Sequence, residues 1–208
     1  MGGRAAPDQW LMRYVPYNDS RVVPDWLTTS PPRPRVCLTM GSVMPAYGGV
    51  TVLAGLLAGL ADLDVEIVLV LGDEVAGELG TVPGNVRVAG WVPLDVMLPS
   101  CAAIVHHGGA GTALTALARG VPQIVVARGA DRPMNAAAVA ARGVGVALDP
   151  ATCTPDVLRD ELIRLLADDG VRKTARGVSE EIAAQPSPAR IAERLGDPTT
   201  WGNGHVDS

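Results

Sequence analysis

The run VEIVLVL at residues 65–71 constrains the fold more than any other stretch of this chain. It shows no alternation of polar and apolar residues, so both of its faces must be buried, the condition of a strand inside a parallel sheet. Four further runs share that texture: RVCLTM (35–40), AAIVH (102–106), QIVVA (123–127) and VGVAL (144–148), with NVRVAGWVP (85–93) a weaker sixth. Between them lie segments of helical spacing. Residues 50–62 place Val52, Leu53, Leu56, Leu57 and Leu60 on one side, and helices follow over 111–119 and from near Pro133. Thr154 and Pro155 read as an N-cap and first helical turn, and Val157, Leu158, Leu162, Leu165 and Leu166 continue the apolar side. Two more helical pieces cover 168–184 and 187–195. Strands alternating with helices predict an α/β fold, a Rossmann-like, doubly wound parallel sheet.

In such a sheet, ligands sit beyond the C-terminal ends of the strands. The turn after Met40, Trp91 and the block AAIVHHGGAGTALTALARGVPQIVVARGADRPMN (102–135) all fall there. The two histidines make a poor metal site, because neighbours on a strand point to opposite faces and no acid or Cys stands at ligand spacing. A dinucleotide fingerprint is incomplete: Leu114 occupies the third glycine position, and QIVVA runs into Arg128 instead of a ribose-binding acid. An NAD(P)-dependent Rossmann enzyme is therefore an alternative that lacks two of its marks. MGSVM does not supply the G-x-S-x-G elbow of a hydrolase. A phosphate cradle fits the order strand, Gly-rich turn, helix start, which presents unpaired backbone N–H groups and about +0.5 of a charge to an anion. Thr112 adds a hydroxyl, and His107 can donate to a phosphate oxygen. The residues alone leave two readings for His107: such a donor, or a strand-end histidine satisfied by its neighbours.

Charge and composition narrow the partners. The 208 residues carry 17 Lys and Arg against 22 Asp and Glu, a net charge of −5. No cationic field draws in nucleic acid or an anionic membrane surface. Cys37, Cys101 and Cys153 are far apart and form no metal-binding spacing, so they are expected to be reduced thiols of a cytoplasmic protein. MGGRAAPDQW has no apolar signal-peptide core, and no apolar run has the length of a membrane span. The first 34 residues are rich in Pro and Arg without a period, and read as an extended arm.

The segment GWVPLDVMLPSCAAIVHHGGAGTALTALARGVPQIVVARGADRPMNAAAVAARGVGVAL closely resembles the donor-binding half of GT-B glycosyltransferases of family 1. The nearest branch is the bacterial enzymes that attach deoxysugars to polyketide antibiotics. MRYVPYNDSRVVPDWL and PSPARIAERL resemble that branch too, so the likeness covers roughly residues 10–196. It implies one half of a GT-B fold: an interdomain arm over 1–34, a nucleotide-sugar-binding Rossmann-like domain over 35–186, and a crossover helix with a polar tail over 187–208. It implies that His107 contacts a diphosphate, and that Gly109, Ala110, Gly111 and Thr112 bind phosphate through amides and a hydroxyl. Gly41 and Ser42 would close over the phosphates. Trp91 would stack on the nucleobase while the backbone of Val92 reads its edge; an exposed Trp at a strand end offers such a face in any case. Asp131 would hydrogen-bond sugar hydroxyls.

Two positions depart from that pattern. Arg132 stands where Gln is usual, and could pair with Asp131 or reach a phosphate. Thr115 stands where many UDP-sugar enzymes carry a Glu that accepts from the ribose hydroxyls. A deoxyribose has no 2′-hydroxyl to satisfy, so a dTDP-sugar is expected over a UDP-sugar. The resemblance further implies an inverting transferase whose small hydrophobic aglycone and general base belong to an N-terminal acceptor domain. This chain would then supply no catalytic residue, bind nucleotide without a metal or other cofactor, and transfer no sugar alone. Trp10, Leu11, Trp26 and Leu27 would be exposed or pack differently without the other domain. The alternative from another class is a non-catalytic nucleotide-binding or partner module.

Overall fold

The computed structural model describes residues 9–17, 23–27, 29–41 and 49–196; Ser42 lies outside the described residues. Six strands form one sheet: β1 (Arg35–Thr39), β2 (Glu66–Leu69), β3 (Val86–Val88), β4 (Ala103–His106), β5 (Gln123–Val126) and β6 (Gly145–Leu148). All pair in parallel, in the order β3-β2-β1-β4-β5-β6. Every residue of β1, β4 and β5 is buried, as their continuous apolar runs require. Chain direction across the sheet reverses between β1 and β4, where Thr39 pairs with His106. That reversal opens a crevice at the strand ends.

The helices are α1 (Gly49–Gly59), α2 (Asp73–Glu78), α3 (Leu94–Met97), α4 (Ala110–Ala118), α5 (Arg132–Ala141), α6 (Pro155–Ala167), α7 (Asp169–Ala183) and α8 (Pro188–Gly196). Alternation along the strands sorts the core into two layers. Val36, Leu38, Ile67 and Leu69 meet Leu53, Leu57 and Leu60 of the α1 segment and Leu158, Leu162 and Leu165 of α6. On the other face Cys37, Val68 and Ile104 meet Met97, Leu98 and Ala116, while Val125 meets Val139 of α5 and Val178 of α7. Val52 and Val157, read as members of apolar faces, are exposed. Helices α2 and α3 carry no period because they are too short to complete two turns. Burial raises the pKa of Cys37 and pushes that of Cys101 up to about 12, so both are unreactive thiols. Among the described residues no helix is long and apolar enough to cross a membrane.

The arm is held at two places. At one, the Arg13 amide donates to the Pro186 carbonyl at 2.8 Å, and Arg194 of α8 lies 4.0 Å from the centre of the Trp10 ring. At the other, a 3-10 turn over Asp25–Leu27 buries Leu27 and sets Trp26 under the guanidinium groups of Arg35 and Arg87. Of the four apolar residues expected to be exposed or to pack differently, Leu11 is exposed, Leu27 is buried, Trp10 lies half-buried against Arg194, and Trp26 lies half-buried against two guanidinium groups. The reason is Arg35, a cation only 2% exposed. Its Nε donates to Glu66 at 2.8 Å and its Nη1 to Ser100 at 2.7 Å, leaving the guanidinium face for an aromatic lid.

Burial opposes ionisation of Glu66, but hydrogen bonds from Arg35 and Arg87 outweigh it and hold the carboxyl below its ordinary range. A depressed carboxylate stabilises the fold above its unfolded pKa, near 4.3, and that contribution disappears as pH falls through the folded value. Glu66→Gln is expected to cost about 2 kcal/mol at pH 7, less than a fully enclosed pair because Arg87 is half exposed. Urea denaturation should show the gap to the parent protein closing below about pH 4. A gap of equal size at pH 7 and pH 3 would contradict this account.

Candidate functional site

The last residue of β4 builds the site from within. His106 is fully buried, and its Nδ1 accepts the Gly108 N–H at 3.1 Å. The proton therefore sits on Nε2, which donates to Oε1 of Gln123 at 2.9 Å. The Gln123 amide reaches on to the Ala113 carbonyl in α4 at 3.4 Å. Burial pulls the His106 pKa down to about 4, so this imidazole is neutral. From the other side, Nδ2 of Asn135 in α5 donates to the Gly108 carbonyl at 2.9 Å and to Asp131 at 3.0 Å. Both backbone groups of Gly108 are thus fixed by side chains. Its φ is +89°, and a Cβ there would lie 3.0 Å from Val125 and 3.2 Å from the Arg132 carbonyl, so no other residue fits.

His107 leaves the strand on the opposite side, as alternation requires. Its ring edge lies between two backbones: a Cβ on Gly41 would stand 2.8 Å from Cε1, and one on Gly109 would stand 2.6 Å from Nε2. The absence of both side chains creates the slot. Burial lowers the pKa of His107, as does the charge of Arg132; the Thr39 backbone and Asp131 act in the other direction and do not restore it. With its pKa held below the ordinary value, the ring is neutral at pH 7.

Helix α4 starts immediately after this slot. Gly109 is its N-cap, no side chain caps it, and its first turn holds no acid. By contrast, Thr154 caps α6 by accepting from Val157, and Asp168 caps α7 by accepting from Val171. Helices α2, α3 and α5 also start without a side-chain cap, but only α4 starts beside the His107 slot, and among the described residues no side-chain cap takes up its first N–H groups. Ala110 and Gly111 are exposed and Thr112 is half-buried. An uncapped nine-residue helix, a histidine and two side-chain-free turns form an arrangement suited to an anion.

The other expected residues lie around it. Trp91 is 44% exposed after β3, and a Cβ on Gly72 would come within 3.3 Å of its indole nitrogen, so the ring stands over the turn that follows β2. Val92 is buried. Asp131 is exposed at the start of α5, with one oxygen taken by Asn135. Nη1 of Arg132 donates to the Arg128 carbonyl at 2.8 Å and not to Asp131. The crevice therefore gathers Gly41, His107, Gly109, Ala110, Gly111 and Thr112, with Asp131 and Arg132 near enough to act on the His107 charge. Trp91 and Val92 stand two to three strand spacings away, roughly 10–15 Å. A separate apolar cavity of about 480 Å³ lies between the arm, α4, α5 and α7 and touches neither His107 nor Trp91. Among the described residues, no three His, Cys, Asp or Glu side chains gather as metal ligands.

Three supporting residues carry little sequence signal. Gln123 is a polar residue opening an apolar strand, and a buried amide must be hydrogen-bonded, so it was the most legible. Asn135 is one helical turn beyond Asp131. Tyr14 has no local signal: its hydroxyl meets Oγ1 of Thr115 at 3.2 Å and the Gly111 carbonyl at 3.3 Å, from about a hundred positions away.

His106→Leu strips Gly108 and Gln123 of a shared partner and is expected to cost about 2–4 kcal/mol in urea denaturation. The parent protein should also lose stability from about pH 6.5 down towards pH 4, because the unfolded chain takes up a proton there that buried His106 refuses. The variant should lose the share of that slope due to His106 and keep the part due to His107, whose pKa is also lowered. An identical slope in both proteins would remove His106 as its source.

Residues 54–197 match the family described as Erythromycin biosynthesis protein CIII-like, C-terminal domain, and residues 5–41 match the corresponding N-terminal domain family. The 10-deoxymethynolide desosaminyltransferase of Streptomyces venezuelae is 47% identical over 186 residues, 88% of this chain and 44% of that protein. The crystal structure of glycosyltransferase VinC in complex with dTDP superposes with a TM-score of 0.78 at 41% identity, covering 89% of this chain and 45% of that one. Spinosyn rhamnosyltransferase SpnG complexed with thymidine diphosphate gives a TM-score of 0.83 at 34% identity, over 92% of this chain and 53% of that one. The chain spans about half the length of the relatives it matches.

Proposed function

This chain belongs to the family of erythromycin biosynthesis protein CIII-like C-terminal domains, and from that membership we propose that it is the donor-binding half of an inverting GT-B glycosyltransferase. Its donor is a dTDP-linked deoxysugar and its acceptor a small hydrophobic natural product. The observation that carries this reading is the uncapped start of α4 with the His107 ring set between Gly41 and Gly109. The diphosphate lies there, on the N–H groups and hydroxyl of residues 109–112 and on His107. The base stacks on Trp91, which follows β3 on the same strand-end side of the sheet as the cradle that follows β4. Asp131 and Arg132 face the sugar. Two relatives of this fold, VinC and SpnG, have been crystallised with the nucleotide assigned here.

Thr115 supports the choice of nucleotide. Its hydroxyl donates to the Gly111 carbonyl at 2.7 Å, so no carboxylate waits there for a ribose diol. The cradle answers the diphosphate charge with its own dipoles and needs no metal. Transfer also requires a base within hydrogen-bond reach of the acceptor hydroxyl. We place that base on the acceptor half, so the 208 residues alone bind donor nucleotide and transfer no sugar.

Calorimetry tests these assignments together. The chain should bind dTDP more tightly than UDP, with affinity unchanged by a metal chelator. His107→Ala should weaken dTDP by about tenfold or more, and Trp91→Ala by about 1–3 kcal/mol. Because burial and the Arg132 charge hold the His107 pKa down, a bound diphosphate should draw a proton to it. Binding should therefore tighten from pH 8 to pH 6, and His107→Gln should lose the part of that slope that the nucleotide's own titration does not explain. Tighter binding of UDP, or sugar transfer by this chain alone, would overturn the corresponding assignment.

A further inference from the structure

Among the described residues of the arm, Tyr14 has a side chain hydrogen-bonded to α4, at Gly111 and Thr115. Its place follows from a stripe on α4. Gly111, Thr115 and Arg119 are each one turn apart and share a face. The lower end of that stripe is tied to α3, where Nε of Arg119 donates to Asp95 at 2.6 Å, four residues past Trp91. The upper end is the open helix start. On the donor-binding reading above, a nucleoside diphosphate reaching from Trp91 to that start would pass its pentose along this stripe, where the Tyr14 hydroxyl meets Thr115.

The hydrogens of this cluster can be counted. The Thr115 hydroxyl proton goes to the Gly111 carbonyl at 2.7 Å. The Tyr14 proton goes to Oγ1 of Thr115 or to the same carbonyl, at 3.2 and 3.3 Å. Thr115 is left only 5% exposed. Both protons and the strong acceptors are engaged inside the cluster, and the phenol oxygen that remains is a weak acceptor. A C2′ methylene loses nothing against such a wall. A 2′-hydroxyl gives up water and finds no comparable partner, which costs free energy.

We propose that Tyr14, by capping Thr115, selects a 2′-deoxyribose donor over a ribose donor, making the arm part of the specificity of the nucleotide site. This rests on the donor-binding reading above and names a residue that reading does not use. Tyr14 is a positioning residue: it acts through Thr115 and the shape of the wall.

Four nucleotides separate the sugar from the base: dTDP and 5-methyluridine diphosphate differ only at C2′, as do 2′-deoxyuridine diphosphate and UDP. The chain should prefer the deoxy member of each pair by about fivefold to tenfold, what one unmade hydrogen bond costs. Tyr14→Phe frees the Thr115 oxygen to accept, so it should raise ribonucleotide affinity and shrink that preference while leaving dTDP binding nearly unchanged. Tyr14→Ala removes the wall and should shrink it further. The proposal is overturned if the native chain shows no preference within either pair, if neither variant moves it, or if both variants weaken all four nucleotides equally, the mark of an arm clasp only. If dTDP binds in a His107-dependent manner while the preference ignores Tyr14, only this inference fails. If dTDP does not bind, or binds without regard to His107, the donor-binding reading fails and takes this inference with it.

Discussion

A neutral imidazole sealed under the sheet surface holds the site in shape. His106 can accept from Gly108 only while Nδ1 carries no proton, and burial enforces that state. The same ring donates to Gln123, which reaches α4, and Asn135 brings α5 to the other side of Gly108. One glycine is thereby clamped by β4 and α5, with α4 tied in through the Gln123 amide. The turn cannot relax without leaving a buried donor or acceptor unpaired. Because the turn is fixed, His107 has one direction to leave it, and the two neighbouring glycine backbones can close on its ring. Preorganisation of this kind removes the ordering cost of the cradle from the binding step.

The architecture was legible because its determinants are local. Runs such as VEIVLVL and QIVVA state burial on both faces, and Thr154-Pro155 states where α6 begins. That the two histidines face opposite ways was legible for the same reason, since strand alternation alone separates His106 from His107. What alternation could not say is that His106 works through a tautomer, because its partners at 108, 123 and 135 come from three different elements. The roles of Trp91 and Asp131 came from likeness to a family, and geometry adds only their setting: Trp91 over the turn after β2, Asp131 tethered by Asn135. The place of Trp26 was not legible because Arg35 and Arg87, whose guanidinium groups lie over its ring, meet only once β1, β2 and β3 are aligned.

The arm shows how a segment without periodic structure is ordered by what it covers. A buried Arg–Glu pair at the foot of the sheet presents a flat cation that an indole can lid. The Arg13 backbone bond and the Trp10–Arg194 stack bring the opposite stretch against α7 and α8. Directly after the Arg13 bond, Tyr14 arrives on α4 at Gly111 and Thr115. A nucleotide-binding wall can therefore be completed by residues that the sheet fold itself does not contain.

Electrostatics sets the last constraint. If the cradle seats the proposed diphosphate, a chain with net charge −5 holds it against its own long-range field. Surface lysines would do so by adding charge that salt screens. Here the positive potential is short-ranged: the partial charge at an uncapped helix start, the amides of a fixed glycine turn, and a histidine that becomes cationic when an anion arrives. Leaving α4 without the side-chain cap that α6 and α7 possess sacrifices roughly 1 kcal/mol of helix stability. That loss is local and is recovered whenever an anion occupies the same N–H groups, so the missing cap and the ligand are two states of one interaction.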